Sequence, residues 1–360
     1  MPTWGELLQE LLLVRQQFAA APPPEGGPAP NDVLRRKYVK QLTDRTGRAA
    51  ILYYSGFLQH PGAPAGTLQV SPADMSGFME ACSNVEEREL DLFLHSPGGS
   101  ADAVEQICEY LRTRFDHIRA VVPLYAMSAA TMTALSADEI LMGAHSQLGP
   151  IDPQFTVMMP EGPRTASAQA IKDQFALAIQ QCKDPANLNA WLPILRSYAP
   201  GMLAACDHAA ERAQRIVRDA LRDHMFKALP DAAKRAEDTA EWFGNAEEFL
   251  SHGRPVRREI AREHGIVIHD LEDDSELQDA ILSVHHTALI SMTMSPIAKL
   301  IENHKERAWI QTIGQFQVPL LPPVAPPPPQ PQPPGPQQPQ MPGLSPQPGQ
   351  APPQQPPQQP

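Results

Sequence analysis

Residues 90–154 read LDLFLHSPGGSADAVEQICEYLRTRFDHIRAVVPLYAMSAATMTALSADEILMGAHSQLGPIDPQ. The stretch opens on an apolar run (Leu90, Leu92, Phe93, Leu94), breaks at Pro97-Gly98-Gly99, and continues as a helix with apolar Ala103, Ile107, Tyr110 and Leu111. A second apolar run (Val121, Val122, Leu124) leads into the small residues Ser128-Ala129-Ala130-Thr131, and a third follows at Ile140-Leu141-Met142. Continuous apolar strands alternating with helices of about three turns belong to a parallel sheet covered on both faces. The expected fold is therefore α/β, a class that binds ligands beyond the carboxyl ends of its strands.

Two such strand ends converge. The first finishes at His95-Ser96-Pro97-Gly98-Gly99-Ser100, where paired glycines turn the chain sharply and leave N–H groups facing outward. The second finishes at Tyr125-Ala126-Met127-Ser128 and runs into a helix of small side chains, so Ser128 falls at a strand-to-helix elbow. A hydroxyl there, with the N–H groups of Gly98 and Ala129 to hold a developing oxyanion, suits acyl transfer. The plain alternatives are a serine that only caps a helix and a Gly-Gly pair that only turns. A dinucleotide loop is disfavoured, because the spacing Gly-x-Gly-x-x-Gly is absent.

Ser96-Pro97-Gly98-Gly99-Ser100, Ala126-Met127-Ser128-Ala129-Ala130-Thr131 and His145-Ser-Gln-Leu-Gly-Pro-Ile-Asp152-Pro-Gln154 together resemble the serine dehydrogenase proteinase family. That family lies in the Clp-protease/crotonase-like superfamily, with signal peptide peptidase A among its relatives. Leu52-Tyr-Tyr-Ser-Gly56, Ser251-His-Gly-Arg-Pro255, Leu277-Gln-Asp-Ala280 and Ile301-Glu-Asn-His304 extend the resemblance over roughly residues 33–305. It implies a Clp-like spiral of βαβ units, a nucleophile at Ser128, and oxyanion donors at Gly98 and Ala129, with Gly99 in the same turn. The Clp proteolytic subunit uses a histidine base after the nucleophile helix, a place taken here by His145. Signal peptide peptidase A uses a lysine, and Lys172 is the only lysine between Lys40 and Lys183. Lys172 is thus the candidate base of a Ser-Lys dyad, with His145 and Asp152 as accessory candidates; the alternative for Lys172 is a solvated helix face.

Composition narrows the classes. A net charge of -12 and a pI near 5.4 leave no electrostatic footprint for nucleic acid. Cys82, Cys108, Cys182 and Cys206 show neither metal spacing nor a disulfide framework. His285 and His286 are adjacent and do not share a helical face, so they make a poor metal pair, and no metal or other cofactor is expected. No apolar run is long enough to span a bilayer and no basic segment precedes the N-terminal leucines, so the expected location is the cytoplasm.

In chain order, residues 1–20 read as an amphipathic helix (Trp4, Leu7, Leu8, Leu11, Leu12, Phe18), suited to docking within an oligomer rather than to a membrane surface. Residues 21–31 are a Pro/Gly linker. Residues 32–160 hold the Clp-like α/β core: a helix whose Arg35, Arg36, Lys37 and Lys40 read as a solvated face, a strand from Ala49, and a helix opened by Ser71-Pro72 whose buried side is Phe78, Met79 and Cys82. Residues 161–318 read as a mainly helical extension. Residues 319–360 hold 20 of the 41 prolines, interspersed with glutamine, and should form a disordered polyproline-rich tail able to meet a Pro-recognising partner.

The combined reading is a Clp-fold serine hydrolase, a peptidase acting through an acyl-enzyme on Ser128 with a peptide or protein substrate. A homo-oligomer is expected. The alternative is a non-catalytic assembly or adaptor protein of the same fold.

Overall fold

The computed structural model describes residues 3–24, 27–159 and 162–314. Helices α1 (Trp4–Ala20) and α2 (Pro30–Thr46) lead to strand β1 (Ala49–Ser55). Short α3 (Ala65–Leu68) and α4 (Asp74–Ala81) precede β2 (Glu89–His95), α5 (Ala101–Arg114), β3 (His117–Val122), β4 (Tyr125–Ala126), α6 (Ala129–Leu135), β5 (Glu139–Met142) and β6 (Gln147–Leu148). A hairpin of β7 (Gln154–Met159) and β8 (Gly162–Ser167) opens the helices α7 (Ala168–Gln181), α8 (Leu188–Leu195), α9 (Met202–Asp223), α10 (Ala232–Gly244), α11 (Ala246–Phe249) and α12 (Arg258–Glu263). The chain then returns to strands: β9 (Ile268–Asp270), helix α13 (Ser275–Thr293), β10 (Ile297–Asn303) and β11 (Ala308–Thr312).

The central sheet has seven strands in the order β11-β10-β1-β2-β3-β5-β9. The run from β1 through β9 is parallel, while β10 and β11 add an antiparallel edge. Alternation along β1 explains its unbroken apolar sequence. Ala49, Ile51 and Tyr53 enter a core shared with Leu92, Leu111 and Phe226, and Ala50, Leu52 and Tyr54 enter a second core with Leu34, Leu42 and Ile281. Both faces are covered, so neither parity of the strand can be polar. The α/β class is as expected.

Helix α1 lies on the second of these cores through buried Leu7 and Leu11, and Thr3 with Glu6 forms its capping box. It is therefore docked on its own chain. Truncating a leucine as buried as Leu7 costs about 2–5 kcal/mol.

Several expectations need correction. The segment 161–318 is not simply a helical extension, because β9, β10 and β11 from within it complete the sheet. Parallel strands require long crossovers, and a short three-residue strand such as β9 carries little periodicity of its own. Arg35 is not on a solvated face: it is fully buried, donating to Glu302 at 2.6 Å and to Asp32 at 2.8 Å. A paired arginine fits inside where a lone one would not. Met79 is 58% exposed, leaving Phe78 and Cys82 as the buried residues. Ser71 is not the cap of α4, since its N–H and hydroxyl donate to Asp74. The Pro/Gln tail lies outside the described residues.

Candidate active site

The end of β2 and the elbow after β4 are tied together by backbone bonds. The Ser96 N–H donates to the Tyr125 carbonyl and the Met127 N–H to the Ser96 carbonyl, each at 3.0 Å. Behind them the Thr131 hydroxyl donates to the Ala126 carbonyl at 2.7 Å and accepts the Gly149 N–H at 2.9 Å. Ser128 sits at the apex with φ 52° and ψ -119°, a conformation unfavourable to any residue with a Cβ. Strain of this kind, of order 1–3 kcal/mol, persists where the surroundings over-determine it and clusters at functional sites.

Ser128 makes no capping hydrogen bond, so it does not act as a plain helix cap. Gly98 presses on the elbow. With φ 95°, an added Cβ would stand 2.6 Å from the Met127 carbonyl oxygen and 2.7 Å from the Ser128 Cβ. Only glycine fits there.

The oxyanion candidates separate once their hydrogen bonds are traced. The Gly98 N–H is spent on the Ser96 hydroxyl at 3.2 Å. The N–H groups of Gly99 and Ala129 have no hydrogen-bond acceptor among the described residues, and both residues line one cavity with Ser128. Gly99 and Ala129, rather than Gly98, are thus the free pair.

That cavity, of about 750 Å³, runs between the sheet ends, the β7–β8 hairpin (Thr156, Thr165) and α9 (His208, Arg212). It also contains a pair the sequence reading did not assemble. Asp152, 4% exposed, accepts from His252 Nδ1 at 2.7 Å and from the Gln154 amide at 2.7 Å. The backbone brings them together: Leu148 and Val256 exchange both N–H···O bonds at 2.9 Å in an antiparallel bridge. Beyond that bridge the chain turns at residues 251–254, where the Arg254 N–H donates to the Ser251 carbonyl at 3.0 Å, and His252 on this turn meets Asp152. The one sequence signal for His252 is the Ser251-His252-Gly253-Arg254-Pro255 stretch, part of the family resemblance but without a chemical role in the reading above. No direct hydrogen bond joins Ser128 to His252.

The other base candidates fall elsewhere. Lys172, on α7, points its ammonium at Asp207 of α9, 2.6 Å away, and borders a neighbouring cavity that shares Asp152 and Pro153 with the first. The Asp207 hydrogen bond raises its pKa, holding it protonated. His145 is exposed, its ring beside Gly143 and outside the Ser128 cavity. It lies close enough to His285 and His286 to act on their charge.

Residues 79–174, about a quarter of the chain, match the family described as ClpP-like SDH-type serine proteinases. This bears out the recognition made from the motifs. Uncharacterized proteins MJ0137 and MJ1495 of Methanocaldococcus jannaschii are each 44% identical over 69 residues, 19% of this chain. The chain spans about a quarter of the length of these curated relatives (24% in each case). Among solved structures, two mutant forms of the 1510-N membrane-bound stomatin-specific protease align over 59% and 56% of this chain and 79% and 71% of theirs. Their identities are 15% and 16%, with TM-scores of 0.36 and 0.35. Among the described residues no helix is long and apolar enough to cross a membrane.

Proposed function

We propose that this chain, whose residues 79–174 carry the ClpP-like SDH-type serine proteinase match, is a serine peptidase built on Ser128, His252 and Asp152. Ser128 Oγ attacks the scissile carbonyl carbon while His252 takes the hydroxyl proton. The carbonyl oxygen, now an anion, receives the N–H groups of Gly99 and Ala129. Collapse breaks the C–N bond, His252 returns the proton to the leaving amine, and an acyl-Ser128 ester remains. Water, deprotonated by His252, then releases the acid and restores the serine. Asp152 fixes the ring orientation and tautomer through Nδ1 and stabilises the imidazolium. The ring must approach the Ser128 hydroxyl to about 3 Å as substrate enters, which is usual where catalytic hydrogen bonds tighten on binding.

One observation carries this reading: a strained serine with an unspent hydroxyl, two unspent N–H donors and an Asp–His pair all border one cavity. The cavity is walled by a hairpin and a helix and is open enough for an extended peptide. Exposed Leu188 and Leu192 on α8, which buries no residue, support assembly as a homo-oligomer. Light scattering at micromolar concentration checks it, a monomer mass being the contrary result.

The test of the chemistry is a fluorophosphonate probe applied to wild type, Ser128→Ala and His252→Ala. Intact-mass labelling of wild type alone, mapped to Ser128, is expected. Labelling that survives Ser128→Ala overturns the assignment.

A further inference from the structure

On the far side of the Gly98-Gly99 turn from Ser128, a lysine and an aspartate are buried without any exposed surface: Lys299 on β10 and Asp74 at the start of α4. Lys299 Nζ donates to Asp74 Oδ1 at 2.5 Å and to the Gln69 carbonyl at 2.9 Å. Asp74 Oδ2 accepts the Tyr53 hydroxyl at 2.8 Å and the Ser71 N–H at 3.0 Å. Both charges are therefore spent on the segment 69–71 and on Tyr53.

The residue in the middle of that segment grips the oxyanion turn. The Val70 N–H donates to the Gly98 carbonyl at 2.8 Å, and the Val70 carbonyl accepts the Ser100 N–H at 2.9 Å. Gly99 is held between these two bonds with φ 153°, so close that an added Cβ would stand 2.4 Å from the Val70 carbonyl oxygen. Tyr53 completes the carboxylate's shell, its hydroxyl donating to Asp74 Oδ2.

We infer that the Lys299–Asp74 pair is a positioning device that, through the segment 69–71 and its Val70, fixes the direction of the Gly99 N–H toward the reaction centre. The inference rests on the serine-peptidase reading. Stability alone does not account for the pair, because two buried charges return little net stabilisation over a well-packed apolar pair. Their value lies in geometry: a donor aimed in advance costs no reorganisation in the transition state, and small misplacements are expensive.

The test compares wild type with the neutral double variant Asp74→Asn/Lys299→Met, which removes both charges together and leaves no lone buried ion. With the fold intact by circular dichroism, kcat on a peptide substrate should fall about 100-fold, the lower end for losing one oxyanion donor, while KM stays within about threefold. Affinity for a peptide aldehyde, which forms a tetrahedral adduct, should fall by the same factor as kcat/KM, and affinity for a product peptide should not change. Hydrogen exchange across residues 96–101 should accelerate in the variant. Should the double variant not fold, Tyr53→Phe keeps the ion pair, removes one of the hydrogen bonds that fix Asp74, and should show the same changes at smaller amplitude. Unchanged kcat in a folded variant overturns the inference, as does equal exchange across 96–101. If wild type neither labels nor hydrolyses through Ser128, the peptidase reading has failed, and the exchange comparison by itself decides whether the pair holds the turn.

Discussion

The floor of the cleft and its wall are built by different means. The floor, residues 90–136, is held by parallel sheet pairing, by reciprocal backbone bonds between Ser96 and the elbow, and by α6, whose residues are all buried. The wall, the β7–β8 hairpin with α7, α8 and the first turns of α9, has a small core of Ala168, Ile171 and Cys206, while the later turns of α9 join the first large core through Ala213, Ile216, Val217 and Leu221. The ion pairs at this end have half-exposed partners: Arg212 meets Asp102 and Glu105 across the site, and Lys172 meets Asp207 within the wall. Exposed pairs of this kind contribute little and α8 buries no residue, so the hairpin with α7 and α8 should open at lower free energy than the floor. On the proposed reading the difference would divide the labour: the nucleophile and the oxyanion donors sit on the floor, and the hairpin and helices that border the cavity sit on the wall.

Substitutions on the floor and in the Asp152–His252 pair beside it should therefore have the largest effects. Ser128→Ala should lower turnover roughly a millionfold, by analogy with other serine-histidine units, with a stability change near 1 kcal/mol. Steady-state kinetics beside a thermal melt measure both, and residual turnover above a thousandth of wild type would break the comparison at its strongest point. His252→Ala should cost about as much as Ser128→Ala, because members of a proton-relay unit fail together. Asp152→Asn keeps the shape but presents an amide to His252 Nδ1, favouring the wrong tautomer, and should lower kcat roughly ten-thousandfold. An Asp152→Asn enzyme as fast as wild type would leave the Asp–His contact without a catalytic role.

How much of this was legible in the sequence follows the same division. The floor is contiguous, so apolar runs, a Gly-Gly break and a small-residue helix were enough to bring Ser128, Ala129 and the Gly98-Gly99 turn to one point, with Gly98 taken as the donor. Gly98 lay in the same motif, yet only the traced hydrogen bond to Ser96 shows its N–H to be spent. His252 was out of reach for a physical reason: it meets Asp152 across 100 residues of sequence, a long-range contact beside one isolated bridge with no periodic signature. Lys172 invited selection by its isolation in the sequence, but which acid it meets is decided by the packing of α7 on α9. Arg35 shows the same limit, since burial of a charge depends on Glu302, which arrives from the far end of the chain.

The floor also carries a pH liability. His95, the last residue of β2, is enclosed by Tyr54, Phe57, Tyr125 and His285, and neither ring nitrogen has a hydrogen-bond partner among the described residues. Burial pushes its pKa down to about 3, and burial likewise lowers that of His285. The unfolded chain binds protons on both near pH 6.5, and the folded chain does not. Stability is therefore full above that pH and falls as the pH drops from 6.5 toward 3, by up to about 2 kcal/mol per histidine at pH 5. Melting curves at pH 7 and pH 5 should show the loss, and His95→Phe should shrink it. An identical pH dependence in both proteins would remove His95 from the account.

The smallest expected effect is the most discriminating. Lys172 is 38% exposed, with its ammonium 2.6 Å from Asp207, whose hydrogen bond raises the lysine pKa. A general base must be unprotonated at working pH, and this arrangement favours the protonated form, the reverse of what a Ser-Lys dyad needs. Lys172→Ala should leave kcat within about threefold of wild type and stability within about 0.5 kcal/mol, as for most surface changes. Asp207→Asn supplies the converse test. Were Lys172 the base, releasing it from Asp207 would lower its pKa and raise the rate near neutrality, whereas an enzyme based on His252 should not respond. A fall of several powers of ten in Lys172→Ala, with His252→Ala remaining active, would transfer the proton from the Asp152–His252 pair to the wall and reverse the division between wall and floor.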